Sequence, residues 1–290
     1  MPRFPMFSED LKHHLEERFG FAIQSSQPLR GGDINSVFLL KSNDTHYVIK
    51  LNEVMLFPDM FQKESNGLYA LRSTQAIDVP QVMGYGDYNS KTYLVMEFKK
   101  SGQTGQQGFW ELFGEQLANL HRNTQEAFGF KEDNYIGSLP QYNRSARSAS
   151  EFYIEQRLRP QFQMASERGY EFDHLEKFYQ IIEQIIPDEP PALIHGDLWS
   201  GNYMVNSDNN PCLIDPAVAY APREMDLAMM KLFGGFDDQM FQAYRASFPL
   251  EKDWEKRIPL WQLYYILVHV NLFGGHYYQR AKEVLGYYLS

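Results

Sequence analysis

The chain has one cysteine in 290 residues, so no internal disulfide can form. That residue, Cys212, lies in the apolar run PCLID, where it reads as a small buried hydrophobe, and the composition fits a reducing compartment. Basic residues are also scarce. Lys and Arg number 27 against 37 Asp and Glu, giving a formal net charge of −10 and a pI near 5.3. No basic stripe is left for a phosphate backbone, so nucleic acid is not an expected partner, although local anion sites remain open. Nowhere do eighteen apolar residues run together, and the N-terminus MPRFPMFSEDLKHHLEERFG carries charges throughout without an apolar stretch of signal-peptide length. The expectation is a cytoplasmic protein without a membrane partner. What the chain does have is 43% hydrophobic residues, enough for a full core and about two compact units.

Ser8 before Leu11, Leu15 and Phe19, with Gly20 following, predicts a capped amphipathic helix. From Phe21 to Glu53 the runs INSVFLLK and HYVIKLNE, separated by RGGD and SNDT, predict a three-stranded antiparallel meander. Helical spacing returns over Phe61–Ser73, and VPQVMGYGD with KTYLVMEF predicts a further hairpin. After Phe98 the stretch KKSGQTGQQG has linker composition. Beyond it FWELFGEQLANLHR, SEFYIEQRLRPQFQMAS, EFDHLEKFYQIIEQII, EMDLAMMKLF and WQLYYILVHVNLF all carry helical apolar spacing, and no internal repeat is visible.

The stretch ALIHGDLWSGNYMVNSDNNPCLIDPA interrupts those helices. Two short strands, YMVN and PCLID, joined at SDNN, would hold Asn202 just before the first and Asp215 at the end of the second, bringing both to one end of an antiparallel hairpin. A carboxylate plus an amide oxygen at one point suits Mg²⁺ beside nucleotide phosphates. Asp197, on the loop entering the hairpin, would then be free as a base, which is the division of labour phosphoryl transfer needs. Any single Asp-containing turn is more simply a capping turn, but three such residues in register are harder to dismiss. Their offsets of five and eighteen from Asp197 are those of the catalytic loop and metal-binding Asp in the protein-kinase-like fold. Gly196 stands where protein kinases carry Arg and Pro216 follows the second Asp, and both departures point to small-molecule kinases of the same fold.

The N-terminal segment supplies matching parts. Gly31 and Gly32 in RGGDINSVF can bring backbone N–H groups to phosphate, although glycine pairs in hairpins are usually plain turns. Lys50 on the next strand and Glu64 on the following helix form a kinase-lobe pairing, against the simpler reading of a solvated surface pair. Glu53, three residues along the same strand, would point away from Lys50. Met96, Glu97 and Phe98 at the end of YLVMEF would form the hinge whose backbone holds adenine. The expected fold class is α+β, a two-lobed protein-kinase-like fold. Residues 1–98 would be a nucleotide-binding lobe with a five-stranded antiparallel sheet and one key helix, and residues 99–290 a larger, mostly helical lobe with the catalytic loop and substrate pocket.

On these residues the sequence resembles the fructosamine kinase (ketosamine kinase) family over nearly its whole length. LIHGDLWSGN, IDPA, REMDLAMMKLFGGF and LVHVNLFGGHYY carry the resemblance, with GGDIN, GLYAL, FGFKEDNYIGSLPQYN and EFYIEQRL similar to family segments. HGDLWSGN is far more specific than HGD alone, which many aminoglycoside and choline kinases share. The resemblance implies ATP- and Mg²⁺-dependent phosphorylation of the sugar 3-hydroxyl of a ketosamine, followed by release of the free amine. It implies Asp197 as base, Asn202 and Asp215 as metal ligands, and Lys50 and Glu64 as the phosphate-positioning pair. Gly31, Gly32 and Asn35 join the ATP-binding set with the three hinge residues. Some members carry a redox-active cysteine after the paired glycines; here Asp33 stands there, so thiol control is not expected. A second departure is APREMDL, where relatives often have GHREADL.

Substrate contacts are less defined. Trp199 would stack on the sugar or its amine substituent, or pack within the loop; the sequence leaves both open. His269 and His276 lie in the C-terminal family segment, where a structural role is the simpler reading. Gln141 and Asn143, on the loop from Asn134 to Asn143, are polar candidates for lining a sugar pocket. Trp261, Tyr264, Tyr265 and Phe273 read as core. The expected partners are ATP and a ketosamine, free or as a glycated protein lysine, and the chain is expected to act as a monomer. The alternatives are a kinase of another hydroxylated small molecule, such as an aminoglycoside or choline, and a nucleotide-binding regulator without catalysis.

Overall fold

The computed structural model describes residues 7–29, 34–43, 45–103 and 105–290. The predicted phosphate-covering glycines, Gly31 and Gly32, and neighbouring Asp33 lie outside the described residues.

Helix α1 (Glu9–Phe19) starts where Ser8 Oγ accepts the Leu11 N–H at 3.3 Å and stops at Gly20, whose φ of 72° is the left-handed conformation glycine adopts freely. Leu11 and Leu15, one turn apart, are buried against Ile49, Leu51, Tyr93 and Val95 of the sheet. Strands β1 (Ser25–Pro28), β2 (Ser36–Lys41), β3 (His46–Glu53), β4 (Val82–Tyr88) and β5 (Lys91–Glu97) form an antiparallel sheet in the order β1-β2-β3-β5-β4. The predicted hairpin therefore joins the meander through its second strand. Because side chains alternate along a strand, Ile49 and Leu51 face α1 while Lys50 and Asn52 face the other way, toward α2 (Met60–Ser73).

Leu68 and Leu71 of α2 are buried with Val79 and Met96, and in the same cluster with Phe113, Leu198, Leu213 and Val218 from beyond residue 98. One apolar core thus runs between the two lobes. The glycine-rich stretch after Phe98 is anchored as well, since the Gly102 N–H donates to the Val205 carbonyl at 2.9 Å.

The larger lobe is mostly helical. Helix α3 (Phe109–His121) packs on α8 (Asp238–Ser247), and α9 (Trp254–Phe273) lies between α7 (Glu224–Phe233) and α10 (His276–Leu289). The helix predicted across EFYIEQRLRPQFQ is divided into α4 (Ala149–Phe152), a π-helical turn (Tyr153–Leu158) and α5 (Arg159–Glu167). Pro160 has no N–H to bond back into the preceding turn, so the backbone changes its hydrogen-bond pattern there. Helix α6 (Leu175–Ile185) covers the same core. Three short ribbons complete the lobe: β6 (Asn134–Ile136) with β7 (Leu139–Gln141), β8 (Ala192–Ile194) with β11 (Ala219–Ala221), and β9 (Tyr203–Val205) with β10 (Pro211–Leu213). Trp261, Tyr264 and Tyr265 are core residues, whereas Phe273, predicted to join them, is 68% exposed. The APREMDL loop is fixed by two internal acid–base contacts, Arg223 with Glu189 and Glu224 with Arg257 at 2.5 Å. No helix among the described residues is long and apolar enough to cross a membrane.

Candidate active site

Leu213 pairs with Tyr203, so the residues flanking that pair, Asn202 and Ile214, sit at one end of the β9–β10 ribbon, and the Ile214 N–H donates to the Asn202 carbonyl at 3.0 Å. Asp215 follows with a φ of 55°, a conformation in which Asp is among the few non-glycine residues found. This brings Asn202 and Asp215 to a common end.

Lys50 Nζ lies 2.6 Å from Glu64 Oε1 and 2.6 Å from Asp215 Oδ1. Burial alone would lower the pKa of the ammonium, but Asp215 and Glu64 outweigh it and raise it, so Lys50 stays charged. Burial pushes the Glu64 carboxyl up against the pull of Lys50. On the same face of β3, the Asn52 side-chain amide donates to Asn35 Oδ1 at 2.7 Å and holds that residue beside the cleft.

Asp197 is set by a second network. Asn202 Nδ2 donates to the Asp197 carbonyl at 2.9 Å and to its Oδ2 at 3.1 Å. The Asp197 carboxyl is pushed up to about 7 by burial and then by the charge of Asp215, against the Asn202 hydrogen bond. His195 joins this loop to the next. Its Nε2 faces the Ile214 carbonyl at 2.9 Å and must donate there, leaving Nδ1 to accept the Asp197 N–H at 3.3 Å. Burial lowers the His195 pKa, consistent with that neutral tautomer. Beneath them Asp226 accepts the N–H groups of His195 at 2.7 Å and Gly196 at 2.8 Å and lies 3.2 Å from His121 Nε2. Burial would raise the Asp226 pKa, but His121, His195 and the Gly196 N–H lower it. Gly196 has a φ of 83°, and a Cβ there would stand 2.0 Å from the Ala217 carbonyl oxygen, so the loop excludes any larger residue.

These groups open into one cleft of about 620 Å³. Of the sequence candidates, Asn35, Lys50, Glu64, Asp197, Trp199, Asn202, Asp215 and His269 line it. The Trp199 ring, 41% exposed, lies over Gly201, where a Cβ would come within 2.2 Å of it. Gln141 and Asn143 do not line the cleft. Gln141 donates to Asn134 Oδ1 and the Ala217 carbonyl and accepts from the Tyr264 hydroxyl, while Asn143 accepts from Arg157 and donates to the Glu132 carbonyl. Both are almost fully buried, with their polar atoms used inside the scaffold. His276 is exposed, its ring centroid 4.0 Å from that of Tyr277 in a tilted contact, also outside the cleft lining. Met96, Glu97 and Phe98 do not line the cleft either. The pairing of β5 with β3 continues through Glu97, whose N–H donates to the Gln81 carbonyl at 2.8 Å, and the Phe98 N–H donates to the His46 carbonyl at 3.2 Å.

No cluster of three or more His, Cys, Asp or Glu side chains suited to a metal occurs among the described residues. The donor set instead fits a hard cation shared with a nucleotide. Asn202 spends its amide hydrogens on Asp197, leaving Oδ1 free, and Asp215 spends Oδ1 on Lys50, leaving Oδ2.

The fructosamine kinase family model matches residues 6–290. The chain belongs to that family. A relative in Synechocystis sp., named a probable ketoamine kinase, is 39% identical over 268 residues, 91% of this chain and 90% of its own. The chloroplastic protein-ribulosamine 3-kinase of Arabidopsis thaliana is 34% identical over 89% of this chain and 81% of its own. A solved structure from Thermobifida fusca, described as a "putative fructosamine-3-kinase", superposes with a TM-score of 0.87 at 32% identity, covering 98% of this chain and 99% of the other. This fructosamine kinase family member thus has the two-lobed kinase-like fold expected from the Asp197, Asn202 and Asp215 spacing.

Proposed function

We propose that this chain transfers the γ-phosphoryl group of ATP to the 3-hydroxyl of ketosamines, whether fructosamine, ribulosamine or erythrulosamine adducts, free or on protein lysines. The observation that carries the reading is the meeting of Lys50, Glu64 and Asp215 beside Asp197 in one cleft. Residues 1–98 act as the nucleotide lobe and residues 99–290 carry the catalytic loop and sugar site. Lys50, braced by Glu64, orients the phosphates, with Asn35 at the edge. Mg²⁺, held by Asn202 Oδ1 and Asp215 Oδ2, would neutralise phosphate charge.

Asp197 takes the proton of the 3-hydroxyl as that oxygen bonds to the γ-phosphorus and the bond to the ADP oxygen breaks. A carboxyl near 7 without ligands suits a base working near neutrality. A cation on Asp215 would remove part of the repulsion that holds it so high, making the carboxylate more available when nucleotide is bound. The product carries phosphate at C3, next to the C2 ketone and β to C1; enolisation toward C1 expels inorganic phosphate from C3 and leaves an imine at C1, whose hydrolysis by water frees the amine.

The test is ADP release with a panel of ketosamines, an aminoglycoside and choline. Turnover confined to ketosamines is expected. Turnover of the aminoglycoside or choline alone would reject the substrate class.

A further inference from the structure

The cleft wall built from α7, α9 and α10 contains Phe233, His269, Phe273 and Tyr277. The His269 ring centroid is 5.1 Å from that of Phe233, 5.6 Å from Phe273 and 4.8 Å from Tyr277, so the four rings form one patch. Phe233 and Phe273 are 40% and 68% exposed. Contiguous aromatic surface left open beside a cleft fits a binding face. His269 gives the patch a direction. Its Nδ1 lies 2.8 Å from the Tyr265 carbonyl, which can only accept, so Nδ1 carries a hydrogen and Nε2 of the neutral ring is a bare acceptor. No described residue contacts that nitrogen as a donor. Burial, with the charges of Arg280 and His276 behind it, lowers the His269 pKa against the Tyr265 hydrogen bond, which favours the neutral ring.

Among the described residues, the carboxylates lining the cleft are Glu64, Asp197 and Asp215, and none belongs to this wall. Glu64 and Asp215 are bound to Lys50, and Asp197 is the base of the proposed reaction. A ketosamine is a secondary amine that is cationic near neutral pH. Its ammonium therefore needs π faces and a neutral acceptor rather than a counterion.

We propose that this wall is the amine subsite: His269 Nε2 accepts an N–H of the substrate's ammonium, and Phe233, Phe273 and Tyr277 turn ring faces to the charge and to the amine's substituent. The assignment rests on the ketosamine reading above and makes His269 a specificity-determining residue, with no part in the bond changes. It favours adducts of apolar or aromatic amines, whose substituents also cover the exposed rings.

The test compares an N-alkyl-1-amino-1-deoxyfructose with its 1-O-alkyl ether counterpart, in which an uncharged oxygen without a hydrogen replaces the ammonium. With the full chain, Mg²⁺ and ATP for kinetics, or ADP for calorimetry, the amine is expected to be favoured about ten-fold or more in kcat/KM and in Kd, the scale of a hydrogen bond to a charged group. His269→Phe, which retains a ring among the aromatics but no acceptor, should lower that ratio several-fold, the remaining preference being that of the rings for a cation, and His269→Gln, whose amide oxygen can accept, should restore part of it. An unaltered ratio in His269→Phe, or a wild type that treats amine and ether alike, would overturn the subsite while leaving the kinase reading intact. Absence of phosphoryl transfer to either sugar would overturn the kinase reading, and the calorimetric ratio would still decide the subsite.

Discussion

Lys50 and Asp215 are 165 residues apart in sequence and 2.6 Å apart in space, and their ion pair ties a strand of the small lobe to the loop after β10 in the large one. With Glu64 also at 2.6 Å, one ammonium balances two carboxylates in a largely buried position. Lys50→Met should lower kcat/KM by about 10²–10³, the scale set by losing one donor to transition-state charge, in steady-state assays at saturating Mg²⁺. A loss under about three-fold would remove Lys50 from the phosphate site.

The raised pKa of Asp197 has a consequence for stability. A carboxyl near 7 in the folded state and 3.8 in the unfolded chain binds its proton more tightly when folded, so stability falls as pH rises between those values and the full cost is present above 7. Asp197→Asn should therefore raise the Tm of the nucleotide- and metal-free protein at pH 8 by about 2–4 °C, corresponding to ~1 kcal/mol, and by less at pH 5. Equal or negative shifts at pH 8 in thermal unfolding would contradict the raised pKa.

Cys212 is fully buried, and burial, with Asp78 beside it, pushes its thiol well above the ordinary range. The native protein should resist thiol reagents, release one reactive thiol in denaturant, keep its activity in mild peroxide and form no disulfide-linked dimer on non-reducing gels. A peroxide-sensitive activity that Cys212→Ser protects would show that this strand opens.

Spacing alone made Asp197, Asn202 and Asp215 legible, because a tight ribbon converts fixed offsets into a fixed meeting point. The strand–helix pair Lys50 and Glu64 was legible for the same reason. Asp226 was not: it sits in an apolar helical run, EMDLAMMKLF, and nothing local says that its carboxylate ends under the His195 and Gly196 amides. Asn52 was missed because an Asn on a strand carries no signal until its partner, Asn35, is brought across. Gln141 and Asn143 read as ligand contacts because polar loop residues usually face solvent. Here burial reverses that, and each side chain holds scaffold carbonyls instead. At the expected hinge, a strand end does not reveal that the Glu97 and Phe98 N–H groups are already paired.

The most direct test of the account is phosphorus NMR of a single-turnover reaction of ATP, Mg²⁺ and a fructosamine, with wild type and Asp197→Asn compared at equal nucleotide occupancy. The wild type is expected to form a new phosphate monoester on the sugar C3, and Asp197→Asn to form it about 10²–10⁴-fold more slowly with ATP affinity largely retained. A wild type that forms no sugar phosphate, or an Asp197→Asn enzyme that forms it at the wild-type rate, would contradict it.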